Sequence, residues 1–95
     1  MSEIWAKNEA LSGQKLQTMM RGSTFTVTDV SMGKIYFVPD KGGQTLRWEP
    51  REIFERMAAQ EWTRTDLRPS RVKEEYPSSF NSSHIAAILK KVLEP

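Results

Sequence analysis

Few side chains in this 95-residue chain are of the types that do chemistry, and their spacing decides what each can do. Two carboxylates stand beside prolines, in Pro39-Asp40 and in Glu49-Pro50-Arg51, and paired carboxylates are the raw material of a divalent-cation site. A strand between them holds them about 25 Å apart at roughly 3.3 Å per residue, whereas ligands of one ion lie within about 2.0 to 2.6 Å of it. Asp40 therefore reads as a turn residue and Glu49 as a helix-start residue. His84 is the only histidine and follows Ser82-Ser83. Neighbours at a helix start point away from one another, and no nucleophile elbow or orienting carboxylate accompanies them. That histidine reads as a surface or capping-region residue. The chain has no cysteine, which excludes disulfides, thiolate catalysis and every Cys-ligated zinc or iron–sulfur centre. Gly42-Gly43 lacks the Lys-Ser/Thr pair of a phosphate loop. The expectation is a non-enzymatic protein with no catalytic residues, no metal and no cofactor.

Charge points elsewhere. The net charge is +2, from 14 Lys plus Arg against 12 Asp plus Glu, too small a bias to argue for nucleic acid by itself. Its distribution is uneven. The connection from Thr63 to Lys73 carries Arg64, Arg68, Arg71 and Lys73 against Asp66 alone, a local excess suited to phosphate contacts. A strand pattern further up the chain places Lys34, Tyr36 and Arg47 on a polar sheet face with Thr24, Thr26, Thr28 and Thr45. One aromatic and two cations there suit base stacking and phosphate contact. These seven cationic and aromatic residues are the candidate contacts for DNA or RNA. The competing reading is a solvated threonine face and arginines paired with Glu74, Glu75 and helix carboxylates.

One apolar feature stands out. Ile4-Trp5 lies in an otherwise polar arm, and so large a ring either folds onto the core or meets another subunit. Ile4 and Trp5 are thus the candidate interface of a homo-oligomer or of a protein partner. Met19, Met20, Met32 and Met57 read as core filler or as an adaptable surface.

The elements that would carry these residues follow from periodicity. Residues 1–10 form an N-terminal arm. Leu16, Met19 and Met20 at helical spacing predict a helix over 11–21, closed by Gly22. Phe25 and Val27 alternating with threonines predict a strand over 24–30, Ser31-Met32-Gly33 a hairpin loop with Gly33 at positive φ, and residues 34–38 a second strand. After the turn at 39–43, Leu46 and Trp48 alternate with Thr45 and Arg47 in a third strand over 44–49, with its apolar residues facing inward. Pro50 opens a helix over 51–60 that buries Ile53, Phe54, Met57 and Ala58. Residues 62–80 read as an irregular connection that packs through Leu67, Val72, Tyr76 and Phe80, with one turn of helix near 72–75. A final amphipathic helix carries Ile85, Ile88, Leu89, Val92 and Leu93, with Lys90 and Lys91 in its last turn. The fold class is α+β, a single domain over 1–95 with a three-stranded antiparallel meander and helices on one face, in the order α-β-β-β-α-α.

The run Leu11 to Val30, the turn Asp40-Lys41-Gly42-Gly43, the passage Arg47-Trp48-Glu49-Pro50-Arg51-Glu52-Ile53 and the segment Ser82 to Leu89 together resemble small α+β modules found in, or encoded beside, restriction-type and HNH nucleases. The resemblance covers most of the chain and implies an accessory, DNA-associated or specificity role. Pro39-Asp40 and Glu49-Pro50-Arg51 are similar to a PD…(D/E)xK site, but Arg51 stands where that pattern has Lys. Residues 1–10 lack the basic start and apolar run of a secretory signal, and no stretch reaches 18 consecutive apolar residues, so no membrane segment and a cytoplasmic location are expected.

Overall fold

The computed structural model describes residues 3–18, 22–41 and 45–94. The chain runs α1 (Glu3–Glu9), β1 (Lys15–Gln17), β2 (Thr24–Ser31), β3 (Lys34–Pro39), β4 (Arg47–Pro50), α2 (Arg51–Ala58), α3 (Trp62–Thr65), α4 (Pro69–Glu75) and α5 (Ser82–Leu93). The four strands form one antiparallel sheet in the order β1-β2-β3-β4, so the α+β class holds with one strand more than the periodicity predicts. Phe25, Val27, Ile35 and Phe37 line one face of the sheet. Against them pack Ile53 and Phe54 of α2, Val72 of α4 and Ile85, Ile88 and Leu89 of α5. Each such side chain contributes about 1.5 to 3 kcal/mol on leaving water.

The helix expected over 11–21 is absent from the described part of that segment. Gly13 takes φ +86 and donates to Val27 O at 2.7 Å, while Gln14 O accepts from Val27 N at 2.9 Å. The chain is thereby turned onto β2 and continues as β1, with Leu16 opposite Phe25. Met19, Met20 and Arg21 lie outside the described residues. The helix sits earlier, in the segment read as an arm, where Trp5 is 6% exposed.

β2 and β3 are joined by the predicted hairpin, with both central residues left-handed: Met32 at φ 53 and Gly33 at φ 73. That is the type I′ arrangement whose twist matches the flanking strands. A register shift between Val27 and Asp29 lets Val30, opposite Ile35, remain on the core side.

The third predicted strand is present as β4, but its phase is inverted. Its register pairs Arg47 with Phe37, Trp48 with Tyr36 and Glu49 with Ile35. Residues opposite one another share a face, so Arg47 and Glu49 point to the helical side. Leu46 and Trp48 are 55% and 49% exposed. A one-residue change of phase moves every side chain to the other face. The connection over 62–80 also differs, because it contains α3 and α4. Pro69 at the start of α4 follows the extended Arg68, the position where proline's missing N–H is harmless. Leu67, Val72 and Tyr76 pack inward, but Phe80 is 93% exposed. Among the described residues no helix is long and apolar enough to cross a membrane.

Candidate functional site

The strand residues that alternate with the core set form the other face of the sheet. Across it, Tyr36 of β3 and Trp48 of β4 are directly opposite, and Lys34 Nζ lies 4.4 Å from the centre of the Trp48 ring. Lys15 and Thr26 are paired on the same face. Asp29 belongs to the Tyr36 row, with its carboxylate accepting from Ser31 Oγ at 2.6 Å. Lys34 and Tyr36 are therefore where the sequence places them. Trp48, read as core, joins them, and Arg47, read as their neighbour, lies on the opposite side.

The basic connection is largely engaged with its own surroundings. Arg64 Nη1 donates to Ala58 O at 2.6 Å. Arg68 grips Asp66 through two nitrogens at 3.0 and 3.2 Å, which lowers the Asp66 carboxyl from its ordinary value, chiefly through the hydrogen bond. Arg71 reaches Glu74 and Glu75 at 3.4 and 3.5 Å and lies over the Trp62 ring. Lys73 Nζ donates to the carbonyls of Pro77 and Ser79, both at 2.8 Å. Ile4 packs partly buried against the core. Trp5 is inside it, with Arg51 5.7 Å above its ring, so that side chain is not available to a partner.

A second feature forms on the helical side, at the end of the sheet where β2 and β4 begin and β3 ends. A cleft of about 750 Å³ opens there, lined by Thr18, Thr24, Lys41, Arg47, Ser83 and His84 among others. Arg47 links this cleft to a polar relay centred on a buried carboxylate. Glu49, 4% exposed, accepts from Ser79 Oγ at 2.8 Å and Asn81 Nδ2 at 2.6 Å. Asn81 Oδ1 accepts from Arg47 Nη1 at 3.3 Å. Glu49 is thus a buried acceptor in β4 rather than a helix-start residue, and partners from a distant segment make its burial tolerable.

His84 lies in the first turn of α5, half-buried rather than on the open surface. Its ring stacks on Phe37 at 5.1 Å and meets Phe25 edge-on at 4.9 Å. Burial, with Arg47 adding, pushes its pKa from 6.5 down to about 4, so the imidazole is neutral at pH 7. Its Nδ1 and the Thr18 hydroxyl are buried without hydrogen-bond partners among the described residues.

Asp40 lies apart from this relay. A hydrogen bond with Thr24 and the Lys15 ammonium hold its carboxyl below 3.8, and Thr26 Oγ1 donates to it at 3.2 Å. Asp40 and Glu49 are each committed to different partners. Sequence reasoning missed the roles of Trp48, Thr18 and His84. Only Trp48 carried a local signal, as an aromatic next to a cationic alternation. No family model, curated protein or solved structure matches the chain.

Proposed function

We propose that the chain is a non-enzymatic binding module that takes single-stranded nucleic acid on the open face of its sheet. The observation that carries this reading is the cross-strand pair of half-buried Tyr36 and exposed Trp48, with Lys34 over the indole. Aromatic rings on a sheet surface stack successive bases whatever their sequence, at about 1 to 3 kcal/mol per base, and neighbouring ammonium groups contact the phosphates. The connection over 63–73 contributes less, because Arg64, Arg68, Arg71 and Lys73 already have internal partners.

Fluorescence anisotropy with labelled single-stranded DNA and RNA tests the reading. Binding should weaken as salt rises. Trp48→Ala should reduce affinity about 5- to 100-fold, and Lys34→Ala should lower the salt slope by about 0.7. Arg68→Ala should change little. Absence of binding at low salt overturns the proposal.

A protein-interaction or self-assembly role is the second reading. It no longer rests on Trp5, which is internal, but on the exposed Leu46 and Trp48. Sedimentation distinguishes the two: a concentration-dependent mass that Trp48→Ala returns to 11.0 kDa favours assembly.

A further inference from the structure

The geometry points to the cleft at the start of α5 as a binding site for a phosphomonoester, a phosphate group carried on a small organic body. It is separate from the sheet-face reading and does not depend on it, because Arg47 and His84 stand on the helical side of the sheet.

Its charge comes first. Lys41 and Arg47 line the cleft, and no carboxylate does among the described residues. Asp40 and Glu49 belong to the adjoining strand segments, but both are engaged, Asp40 by Lys15 and Thr26 and Glu49 by Ser79 and Asn81. Among the described residues the Arg47 guanidinium makes one hydrogen bond, to Asn81, which leaves further donors of its fork for a ligand.

The helix end comes next. Asn81 is the residue that should cap α5, but its side chain is turned to Glu49 and Arg47, and α5 has no side-chain cap. Ile85 N is the first amide of the helix bonded back to it, to Asn81 O at 2.8 Å. The earlier amides are left over, and Ser83 and His84 of that first turn line the cleft. An uncapped helix start offers N–H donors and about half a positive charge to an anion.

An independent sign is Thr18. It is 7% exposed, forms part of the cleft wall and has a hydroxyl with no hydrogen-bond partner among the described residues. Buried hydroxyls are rarely left so, and this one belongs to a residue that borders the cleft. His84 Nδ1 is in the same position.

The class of ligand follows from this donor set and from size. Two cations and a helix start match a dianion with three terminal oxygens better than a carboxylate with two. A cleft of about 750 Å³ is in the range of small-molecule sites and leaves room for an organic body that inorganic phosphate does not fill. Thr18, Thr24 and the neutral His84 ring would face that body.

The test is a heteronuclear NMR titration of the full chain with inorganic phosphate, uridine 5′-monophosphate and uridine. Uridine monophosphate should shift the Ser83 and His84 amides, inorganic phosphate should shift them at concentrations about tenfold higher, and uridine should leave them in place. Arg47→Ala should weaken the response about tenfold or more, and Arg47→Lys less so. Thr18→Val, which keeps shape and removes the unpaired hydroxyl, should raise the melting temperature while weakening the nucleotide response. The Trp48 indole signal reports the sheet face separately. Shifts confined to that indole, equal shifts from uridine, or an Arg47→Ala spectrum that titrates like wild type would overturn the site without touching the sheet-face proposal. A folded spectrum for Arg47→Lys keeps the result readable if Arg47→Ala does not fold.

Discussion

The His84 imidazole, with its pKa lowered from 6.5 to about 4 by burial and then by Arg47, ties stability to pH. The unfolded chain binds this proton more readily than the folded one, so stability is complete above about 6.5 and falls as pH drops towards 4. At about 1.4 kcal/mol per pH unit the loss is at most about 3 kcal/mol, and solvent screening of a partly exposed ring makes it smaller. Urea titrations at pH 7, 5.5 and 4 measure it, and His84→Phe should flatten the profile in that window. Asp40 and Asp66, whose carboxyls are held below 3.8, lose their contributions only at lower pH.

Met32 gives a second residue-scale prediction. It is 93% exposed at φ 53, a conformation that costs a side chain with a bulky stem about 1 kcal/mol. Met32→Asn should stabilise the hairpin by about 1 kcal/mol, read as a higher melting temperature. The sequence showed the need for Gly33 but not for Met32, because nothing in methionine's usual preferences marks a left-handed turn. His84 was illegible for another reason. Its partners Phe25 and Phe37 come from strands far away in the sequence, and local spacing says nothing of them.

At the scale of elements, β4 shows most clearly what local pattern omits. Leu46 and Trp48 alternating with Arg47 and Glu49 is a regular half-buried strand pattern, and hydropathy alone chooses the wrong side. The choice is reversed by Ser79 and Asn81, which lie 30 and 32 positions beyond Glu49 and satisfy its carboxylate. Glu49→Ala should therefore cost about 1 to 3 kcal/mol by leaving those side chains unpaired. Chemical denaturation measures that cost, and a variant as stable as wild type would show the relay to be energetically idle. β1 was hidden by a similar conflict, since Leu16 fits a helical stripe, but Gly13 at positive φ turns the chain onto β2. α2 and α5 were legible because their apolar stripes are decided within a few turns. Asn81-Ser82-Ser83 was equally legible as the start of α5, but not the diversion of the Asn81 side chain that leaves this start uncapped.

For the whole molecule, the Cα radius of gyration is 12.1 Å, close to the roughly 12 Å expected of a compact chain of this length. A core that includes Trp5, Leu11, Phe54 and Val92 closes over the full span from α1 to α5. Trp5→Ala should therefore lower stability by about 3 to 5 kcal/mol. Thermal melting checks this, and a variant with wild-type stability and altered mass would return Trp5 to an interface role. The absence of cysteine leaves that core without covalent staples, so packing carries it.

The order of the sheet has a consequence for folding in time. Every strand pairs with its neighbour in sequence, so the meander closes through local loops, the fast kind of contact. Part of its cover arrives late, because α5 begins only at Ser82, well beyond the end of β4 at Pro50. Between those events the apolar face of Phe25, Val27, Ile35 and Phe37 has only the cover that α1, α2 and α4 supply. The docking of α5 is therefore the step at which a nascent or refolding chain stops being attractive to chaperones and to other copies of itself. Substitutions on its inner face, at Ile88 or Leu89, should lengthen that exposed interval, while those in the turn at Met32 should shift how soon it begins.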